Sequence, residues 1–298
     1  MSKTIRIGTR GSKLALWQAH FVQSELAAQG IDSELVIIKT KGDTIQHLSF
    51  DKIEGKGFFT KEIEDTLLRG DVDMAVHSMK DLPTTAPEGL VTTAVSERAD
   101  PVDWLVVNPE SVDKTHLLRL KTDAIIGTSS ARRKAQLLDY RRDFQLKDIR
   151  GNVPTRLRKL KEGQFDAIVL AAAGLTRLEI DLSEFFVLKF DPREFVPAPA
   201  QGVLAYQCLK DDIVTRRILK QLHHSATAQQ TNVERKVLKL LEGGCQMPLG
   251  VYCKVDKMHN FHVWAAKADA WNGDLKRVQF SASTHAGLAE EVVKALGK

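Results

Sequence analysis

Along the first two thirds of the chain, segments with the hydrophobic pattern of a β-strand alternate with segments that have the pattern of an α-helix. Short runs rich in β-branched residues predict strands, and between them apolar residues recur at helical spacing, as Leu14, Trp17 and Phe21 do. Helices placed between strands are typical of βαβ units, so we expect a mostly parallel sheet. The predicted strands are Thr4–Thr9, Glu34–Thr40, Asp73–Ser78 and Leu90–Ser96, and the predicted helices are Lys13–Gln29 and Thr60–Arg69.

The pattern repeats weakly farther along the chain. Ile7–Ser12 has a counterpart in Ile126–Ala131, each after a predicted strand and before a predicted helix. Gly70–Val76 has a counterpart in Gly163–Val169. Two similar α/β halves are the simplest interpretation, and chance similarity of short strand–turn–helix pieces is the alternative.

The last third of the chain has a different pattern. Asp211–Glu242 is largely helical, and alternating strands follow Gly243-Gly244. A small α+β unit, distinct from the two halves, is therefore predicted. Its strands are Leu249–Val255, Phe261–Ala268 and Lys276–Ser281, and its closing helix is Ala286–Leu296.

Two segments are expected to carry the chain between the halves. One lies near Arg98–Asp103, and the other is Pro192–Gly202, where three prolines and a Gln-Gly pair interrupt regular structure. The predicted domains are therefore 1–99 with 200–219, then 100–199, and a C-terminal domain at 220–298.

Composition fits a globular protein and narrows its class. Of 298 residues, 43% are hydrophobic and 27% are charged, and 43 Lys and Arg against 38 Asp and Glu leave a net charge of +5. That excess is too small to predict nucleic-acid binding, and it suits an acidic small molecule equally well. The first residues lack the features of a secretory leader, and no run approaches the roughly 18 apolar residues of a membrane span. We therefore expect a cytoplasmic protein that binds neither membrane nor nucleic acid.

The three cysteines have no metal-like spacing, so we expect reduced thiols and no metal site. Cys208 and Cys253 are expected to be structural, within a helix and a strand respectively. Cys245 follows Gly243-Gly244 in a tight loop after a helix C-terminus, whose dipole does not favour a thiolate. Two interpretations of Cys245 stay open: a buried structural cysteine, or a loop thiol that forms a thioether with a strong electrophile.

Hydroxyl and basic residues gather where predicted strands end. The turns Thr9–Ser12, Thr128–Ser130 and 152–156 each precede a helix, whose free N–H groups and dipole attract anions. Converging arginines suit a polycarboxylate, because a guanidinium binds a carboxylate through two parallel hydrogen bonds. Solvated surface charges are the alternative. The arginines concerned are Arg10, Arg132, Arg133, Arg150, Arg156 and Arg177.

Ionisable residues also follow the apolar strand Asp73–Ser78. Ser78, Lys80 and Asp81 are costly to bury and are expected to line a cleft, although a turn capped by Asp81 is the alternative. A carboxylate at Asp81 can accept N–H hydrogen bonds, stabilise a developing cation and transfer a proton.

A glycine-containing loop without periodicity lies earlier in the chain. Lys52 and Lys56 stand beside its glycines, and the loop is expected to fold over a ligand. Of Phe58 and Phe59, one is expected in the core and the other to stack on a ring.

Taken in order, these segments resemble the porphobilinogen deaminase family over nearly the whole chain. Each matching motif is short, but the ordered set is highly specific. The motifs are Ile7-Gly8-Thr9-Arg10, Trp17-Gln18-Ala19, Gly55-Lys56-Gly57, Ala75-Val76-His77-Ser78-Met79-Lys80-Asp81, Gly127-Thr128-Ser129-Ser130, Arg132-Arg133, Arg150-Gly151-Asn152, Thr155-Arg156-Leu157, Ala173-Gly174-Leu175 and Glu242-Gly243-Gly244-Cys245-Gln246.

The resemblance implies an α/β fold of two domains like type II periplasmic binding proteins, with a small C-terminal α+β domain, in a monomeric enzyme. It also implies a dipyrromethane cofactor bound to Cys245 through a thioether. Asp81 matches the catalytic carboxylate that hydrogen-bonds the pyrrole nitrogens. Lysines of the mobile loop, its stacking aromatic and the second crossing between domains are matched by Lys52, Lys56, Phe59, Gln201 and Gly202. Side chains that hold acetate and propionate groups are matched by Arg10, Ser12, Ser78, Lys80, Thr128, Ser129, Ser130, Arg132, Arg133, Arg150, Arg156 and Arg177.

The activity implied by the resemblance joins four porphobilinogen molecules by stepwise deamination and condensation. Hydrolysis then releases hydroxymethylbilane for haem and porphyrin synthesis. Asp81 is expected to stabilise the cation that forms when ammonia leaves. The main alternative is a two-lobed solute-binding or ligand-sensing protein for a polycarboxylate, and a nucleic-acid-binding protein is a weaker one.

Overall fold

The architecture is that of a computed structural model, which describes residues 4–40, 60–244 and 246–297. Within these ranges the strands are Ile5–Thr9 (β1), Ser33–Ile37 (β2), Met74–Ser78 (β3), Leu90–Val95 (β4), Asp103–Val107 (β5), Ile125–Gly127 (β6), Gln145–Lys147 (β7), Ala167–Ala171 (β8), Phe186–Lys189 (β9), Leu204–Leu209 (β10), Leu249–Val255 (β11), Phe261–Lys267 (β12) and Lys276–Ala282 (β13). The α-helices are Lys13–Ala28 (α1), Lys61–Leu68 (α2), Ala131–Tyr140 (α3), Val153–Lys161 (α4), Ala172–Arg177 (α5), Ile213–Gln221 (α6), Ser225–Leu240 (α7) and Leu288–Leu296 (α8).

Two predicted elements need correction, and one that is confirmed as largely helical is divided in two. Cys208 lies in β10 and not in a helix, at a fully buried strand position that suits its apolar side chain. The helical stretch Asp211–Glu242 is divided into α6 and α7. The closing helix begins at Leu288 instead of Ala286, because Gly287 adopts a left-handed conformation with a φ of 77°.

One compact unit comprises residues 4–40, 60–99 and 202–228. Its sheet has the strand order β2-β1-β3-β10-β4, with β1 parallel to β2 and β3 and with β10 antiparallel to β3 and β4. Ile5 and Ile7 of β1 and Met74 of β3 are fully buried with Val22 and Leu26 of α1. The apolar face of the helix thus covers the parallel part of the sheet.

The second compact unit comprises residues 100–201, 229–244 and 246–297. Its five-stranded sheet has the order β7-β6-β8-β5-β9, with β6 parallel to β7 and β8 and with β5 antiparallel to β8 and β9. The strands β7, β6, β8, β5 and β9 thus occupy the same positions in this sheet as β2, β1, β3, β10 and β4 occupy in the first sheet. The structure therefore supports the predicted repeat, in which β1 and α1 correspond to β6 and α3.

The second unit also contains a three-stranded antiparallel sheet, β11-β12-β13. Its inner face buries Val251 and Val263 against Val237 of α7 and Val292 of α8. The predicted fold class is confirmed, since two five-stranded α/β sheets are joined to a small α+β part. The division into three domains stays a prediction.

The division between the two compact units falls within both predicted crossings. There it lies between Ala99 and Asp100 and between Gln201 and Gly202, and a further boundary lies between Ala228 and Gln229, inside α7. Along the ranges described above, no helix combines the length and the apolar character that a membrane crossing requires.

A buried carboxylate joins the second crossing to the C-terminal sheet. Glu234 of α7 is fully buried and accepts the backbone N–H of Ala200 at 2.6 Å and that of Cys253 at 2.8 Å. Ala200 has a φ of 62°, a conformation uncommon for a residue with a side chain. The carboxylate of Glu234 therefore stabilises both a strained turn and a central position of β11.

Replacing Glu234 with leucine should lower the free energy of unfolding by about 2 kcal/mol or more. The substitution leaves two buried N–H groups without this acceptor, each at a cost of about 1–3 kcal/mol. Urea unfolding followed by circular dichroism measures the change. The exposed carboxylate of Glu88 supplies the control, because Glu88→Gln should alter stability by less than about 0.5 kcal/mol. Equal losses in the two variants would contradict the prediction.

Candidate active site

In the first unit, predicted site residues gather at the edge where parallel strands end. β1 ends at Thr9 and its parallel neighbour β3 ends at Ser78, so the residues that follow share one edge of the sheet. Ser12 caps the N-terminus of α1, and its Oγ accepts the N–H of Ala15 at 3.3 Å. Arg10, which is half-buried, stands just before this cap.

A short 3-10 turn after β3 starts at Met79 and ends at Asp81. The N–H of Met79 donates to the carbonyl of Val203 at 2.9 Å, and Nε2 of Gln18 donates to Oγ of Ser78 at 3.0 Å. These bonds fix the base of the turn. The side chain of Asp81 is exposed, and it accepts no hydrogen bond from the part of the chain that the structure describes. The alternative in which Asp81 caps a neighbour is therefore not what the structure has.

A buried polar chain that the sequence analysis missed lies behind this turn. Nε2 of His77 is 3.1 Å from Oε1 of Gln207, whose Nε2 donates to Oε1 of Glu64 at 3.1 Å. A carboxylate only accepts, so Glu64 orients the amide of Gln207, and His77 carries its proton on Nε2. Burial lowers the pKa of His77 to about 4, against a weaker opposing effect of the Gln207 hydrogen bond, so the imidazole is neutral at pH 7. The signal in the sequence was a histidine inside an apolar strand.

In the second unit, β6, β7 and β8 are parallel neighbours and end at a single edge. Thr128–Ser130 follow β6, Arg150 follows β7, and Arg177 ends α5 directly after β8. Oγ of Ser129 donates to the carbonyl of Ile149 at 2.9 Å and accepts the N–H of the same residue at 3.1 Å. The turn after β6 is thereby bound to the turn after β7, while contact of these residues with a ligand stays a prediction.

A buried carboxylate holds two of the predicted arginines. Asp103 begins β5 and is fully buried, with Oδ2 2.8 Å from Nη2 of Arg132 and Oδ1 2.7 Å from Nη2 of Arg133. Nη1 of Arg132 donates to the carbonyl of Val196 and Nη1 of Arg133 to that of Val169, both at 2.9 Å. Asp103 was not predicted from the sequence, although a carboxylate at the head of an apolar run indicates a buried polar contact.

Gln201 reaches the same carboxylate from the second crossing. Its Nε2 donates to Oδ1 of Asp103 at 3.0 Å and to the carbonyl of Pro101 at 2.7 Å. Gln201 therefore joins the second crossing to the first near its entry into β5. Gly202, the next residue, has a φ of 91° and belongs to the first unit.

The arginines that follow β6, β7 and β8 form what is called below the arginine-rich edge. Among the described residues, this edge has buried hydrogen-bond donors without acceptors and an excess of positive charge. Its members are Arg132, Arg133, Arg150, Arg156 and Arg177. The buried Nε atoms of Arg132 and Arg133 have no hydrogen-bond partner within the described ranges. Arg156 donates through Nε to the carbonyl of Gly151 at 2.7 Å. Burial, followed by the charges of Arg133 and Arg150, lowers the pKa of Arg156 to about 10, so it remains a cation at pH 7. Like charges that oppose one another in this way form an environment that an anionic ligand stabilises.

Some predicted residues lie outside the described residues, namely Lys52, Lys56, Phe59 and Cys245. The residues before Cys245 form the tight turn expected, because Glu242 has a φ of 54° and a Cβ at Gly243 would lie 2.8 Å from side chains of Leu238 and Met247. Among residues 4–40, 60–244 and 246–297, no three His, Cys, Asp or Glu side chains are grouped to hold a metal ion.

These features define an α/β protein with an arginine-rich edge suited to a polycarboxylate and a separate exposed carboxylate after a parallel strand. A family model described as "Porphobilinogen deaminase, dipyromethane cofactor binding domain" matches residues 5–217, and one described as "Porphobilinogen deaminase, C-terminal domain" matches residues 228–298. The chain belongs to the porphobilinogen deaminase family, which consists of enzymes of tetrapyrrole synthesis. The predictions of family, enzyme class and dipyrromethane cofactor are confirmed.

Relatives support the same assignment at the level of whole chains. The porphobilinogen deaminase of Trichlorobacter lovleyi is 48% identical over 84% of this chain and 78% of its own length. That of Chloroherpeton thalassium is 45% identical over 86% of this chain and 80% of its own length.

More distant likenesses appear among solved structures. A periplasmic substrate-binding protein of an ABC transporter from Coxiella burnetii has a TM-score of 0.45 at 14% identity, covering 76% of this chain and 94% of its own. The periplasmic VFT2 domain of BvgS from Bordetella pertussis has a TM-score of 0.42 at 13% identity, covering 74% and 86%. At these scores the likeness carries no inference about a ligand.

The neutral state of His77 should make the folded protein sensitive to acid. Its pKa is about 4 in the folded state, below the ordinary 6.5, so the unfolded chain takes up this proton first as the pH falls. The neutral histidine makes its full contribution to the free energy of unfolding above pH 6.5. Up to about 3 kcal/mol of that free energy is lost as the pH falls to 4. In urea unfolding, His77→Gln should flatten the dependence of unfolding free energy on pH across this window. His20→Gln, at an exposed histidine, should leave the slope unchanged; an unchanged slope in His77→Gln would contradict this prediction.

Proposed function

We propose that the chain deaminates porphobilinogen and condenses four molecules stepwise on a dipyrromethane cofactor, then releases hydroxymethylbilane by hydrolysis. The observation that carries this proposal is the surplus charge at the arginine-rich edge. Asp103 faces both Arg132 and Arg133, and the pKa of Arg156 is lowered by burial and by the charges of Arg133 and Arg150. A product that gains two carboxylates with every porphobilinogen supplies the negative charge that this edge lacks.

The donor set also fits the dipyrromethane group. The buried Nε–H groups of Arg132 and Arg133 lack an acceptor within the described ranges, and Arg156 is a nearby cation, so carboxylates match the donors present. When bound, this group supplies the pyrrole α-carbon to which the first substrate unit is joined. We assign its attachment to Cys245, through a thioether.

Asp81 is assigned the proton transfer. An exposed carboxylate at the end of a fixed turn can accept a pyrrole N–H, and it stabilises the cation left on the substrate when ammonia departs. The same carboxylate then receives the proton released when the new carbon–carbon bond has formed. The hydrogen bond from Gln18 to Ser78 supports this role, because it holds the end of β3 in place.

The remaining predicted residues are assigned to the acetate and propionate groups of the growing chain. Most stand at strand ends or helix N-termini, where rigid elements fix the direction of each donor. Lys52, Lys56 and Phe59 are assigned to the cover over the bound chain. The binding residues are Arg10, Ser12, Ser78, Lys80, Thr128, Ser129, Ser130, Arg132, Arg133, Arg150, Arg156 and Arg177, with Gln201 and Gly202 supporting them from the second crossing.

The cellular setting belongs to the same proposal. We infer a cytoplasmic monomer that acts on a small molecule and binds neither nucleic acid nor membrane, which the modest net charge of +5 supports. A polycarboxylate-binding protein without turnover is the alternative, and the exposed Asp81 favours the enzyme. Analytical ultracentrifugation tests the monomer, and release of ammonia from porphobilinogen separates the enzyme from a binding protein.

The purified protein should be heavier than its polypeptide by the mass of a dipyrromethane adduct. Cys245→Ala removes the sulfur that forms the thioether, so intact-protein mass spectrometry should then give the bare polypeptide mass. Cys208→Ala is the matched control, because Cys208 is buried in β10 and should leave the adduct in place. An adduct retained by Cys245→Ala would refute the attachment site.

Asp81→Asn should lower kcat for porphobilinogen by about 10²–10⁴-fold, since the amide cannot receive the proton. Stability should change little, because Asp81 is exposed and accepts no hydrogen bond from the described residues. The assay follows ammonia release, with urea unfolding to verify the fold. Asp32→Asn, at another exposed aspartate of the first unit, should keep normal turnover. Near-normal kcat in Asp81→Asn would remove Asp81 from the mechanism.

A further inference from the structure

The carbonyl of Val196 is an acceptor shared by two side chains of α3. Nη1 of Arg132 and Nε2 of Gln136 both donate to it at 2.9 Å, and the N–H of Val196 donates to Oε1 of Gln136 at 2.6 Å. Val196 and Gln136 are buried. The backbone N–H and the backbone carbonyl of Val196 are thus both bonded to the side-chain amide of Gln136, and the same carbonyl holds one end of the Arg132 guanidinium.

The opposite side of the same peptide is closed by Gly250 of β11. A Cβ built on Gly250 would lie 2.5 Å from the carbonyl oxygen of Val196 and 2.9 Å from its Cβ. The next residue, Val251, donates its N–H to the carbonyl of Pro197 at 3.0 Å. This backbone hydrogen bond holds β11 against the segment that contains Val196. Glycine is required at this position for space alone, because its φ is not in the left-handed region.

The geometry points to Gly250 as a positioning residue for Arg132, an inference that rests on the proposed function. Arg132 is held at two points, by Val196 through Nη1 and by Asp103 through Nη2 at 2.8 Å. These two contacts, together with the attachment of the side chain to α3, restrict the orientation of the guanidinium and with it the direction of the buried Nε–H, which has no partner among the described residues. A methyl group at Gly250 would displace the Val196 carbonyl and change the direction of this Nε–H, which the proposed function assigns to a ligand carboxylate.

The arrangement gives β11 two tasks. The strand follows the loop that contains Cys245 in the sequence, and its backbone at Gly250 sets the acceptor of an arginine assigned to the ligand carboxylates. β11 therefore follows the loop assigned to anchor the cofactor and also positions Arg132, the donor assigned to bind it.

Steady-state and single-turnover kinetics of Gly250→Ala test this inference. We expect kcat/KM for porphobilinogen to fall about tenfold or more, since a displacement near 1 Å at a binding group costs up to about 10²-fold. Gly273→Ala is the matched control. Its Cβ would meet only the backbone of Ala270, at 3.3 Å, so kinetics should stay within about twofold of the unaltered protein.

A double-mutant cycle separates positioning of Arg132 from a general structural effect. In an Arg132→Lys background, which keeps the charge but loses the forked donor, Gly250→Ala should change kcat/KM by no more than about twofold. An equal loss in both backgrounds, or unaltered kinetics in Gly250→Ala alone, would overturn the inference.

A second variant covers the case in which Gly250→Ala does not fold. Gln136→Met releases the Val196 peptide from the other side without adding an atom near Gly250, and it should show the same dependence on Arg132. An effect of Gln136→Met that is the same in both backgrounds would overturn the inference. Failure of the proposed function itself is distinguishable, because the unaltered protein would then neither release ammonia nor carry a pyrrolic adduct.

Discussion

The arginine-rich edge depends on one buried carboxylate, that of Asp103. A guanidinium is costly to bury without a counter-ion, and Asp103 serves both Arg132 and Arg133 while also accepting from Gln201. Because one negative charge serves two positive ones, the cluster is ordered without being neutral. Removing one partner of a buried ion pair costs about 3–5 kcal/mol of stability in general. A change at Asp103 would therefore affect both the stability of the fold and the charge of the cluster.

The two five-stranded sheets share a strand order but present different chemistry at their ends. In the first unit the residues after the strands include hydroxyls and an exposed carboxylate, as at Ser12, Ser78 and Asp81. In the second unit hydroxyls again follow β6, at Thr128–Ser130, but guanidinium groups such as those of Arg150 and Arg177 stand beyond the neighbouring strands. Parallel strands bring their carboxyl ends to one edge in either case, so the scaffold decides where side chains gather and the residues after each strand decide what they do.

Much of this arrangement could be predicted from local patterns. Period-two and helical spacing located the strands and helices, and the arginines were recognised because each follows a strand or opens a helix. Cys208 was misplaced because the short apolar run that contains it, Leu204–Leu209, is too brief for periodicity to separate a strand from a helix.

Contacts between distant residues could not be predicted in this way. His77 and Gln207 are 130 positions apart, Gln207 and Glu64 are 143 apart, and Asp103 and Arg133 are 30 apart. No local spacing reports such pairs, since they exist only when the sheet has placed its strands side by side. A polar residue inside an apolar run was the available sign that a partner exists, and it did not identify the partner.

Burying cationic arginines close together costs stability in the free protein, and the proposed function assigns these same groups to the carboxylates of the ligand. Burial and the neighbouring charges lower the pKa of Arg156 from 12.5 to about 10, which disfavours its charged form by about 3 kcal/mol. Under the proposed function, a bound carboxylate would offset the repulsion that Arg133 and Arg150 exert on Arg156, which is the smaller part of that penalty after burial. Asp103 offsets part of the positive charge, and a second carboxylate in the cluster would neutralise the charge to which the proposed polycarboxylate would bind. The cluster thus keeps an electrostatic cost at the place where the proposed function needs positive charge.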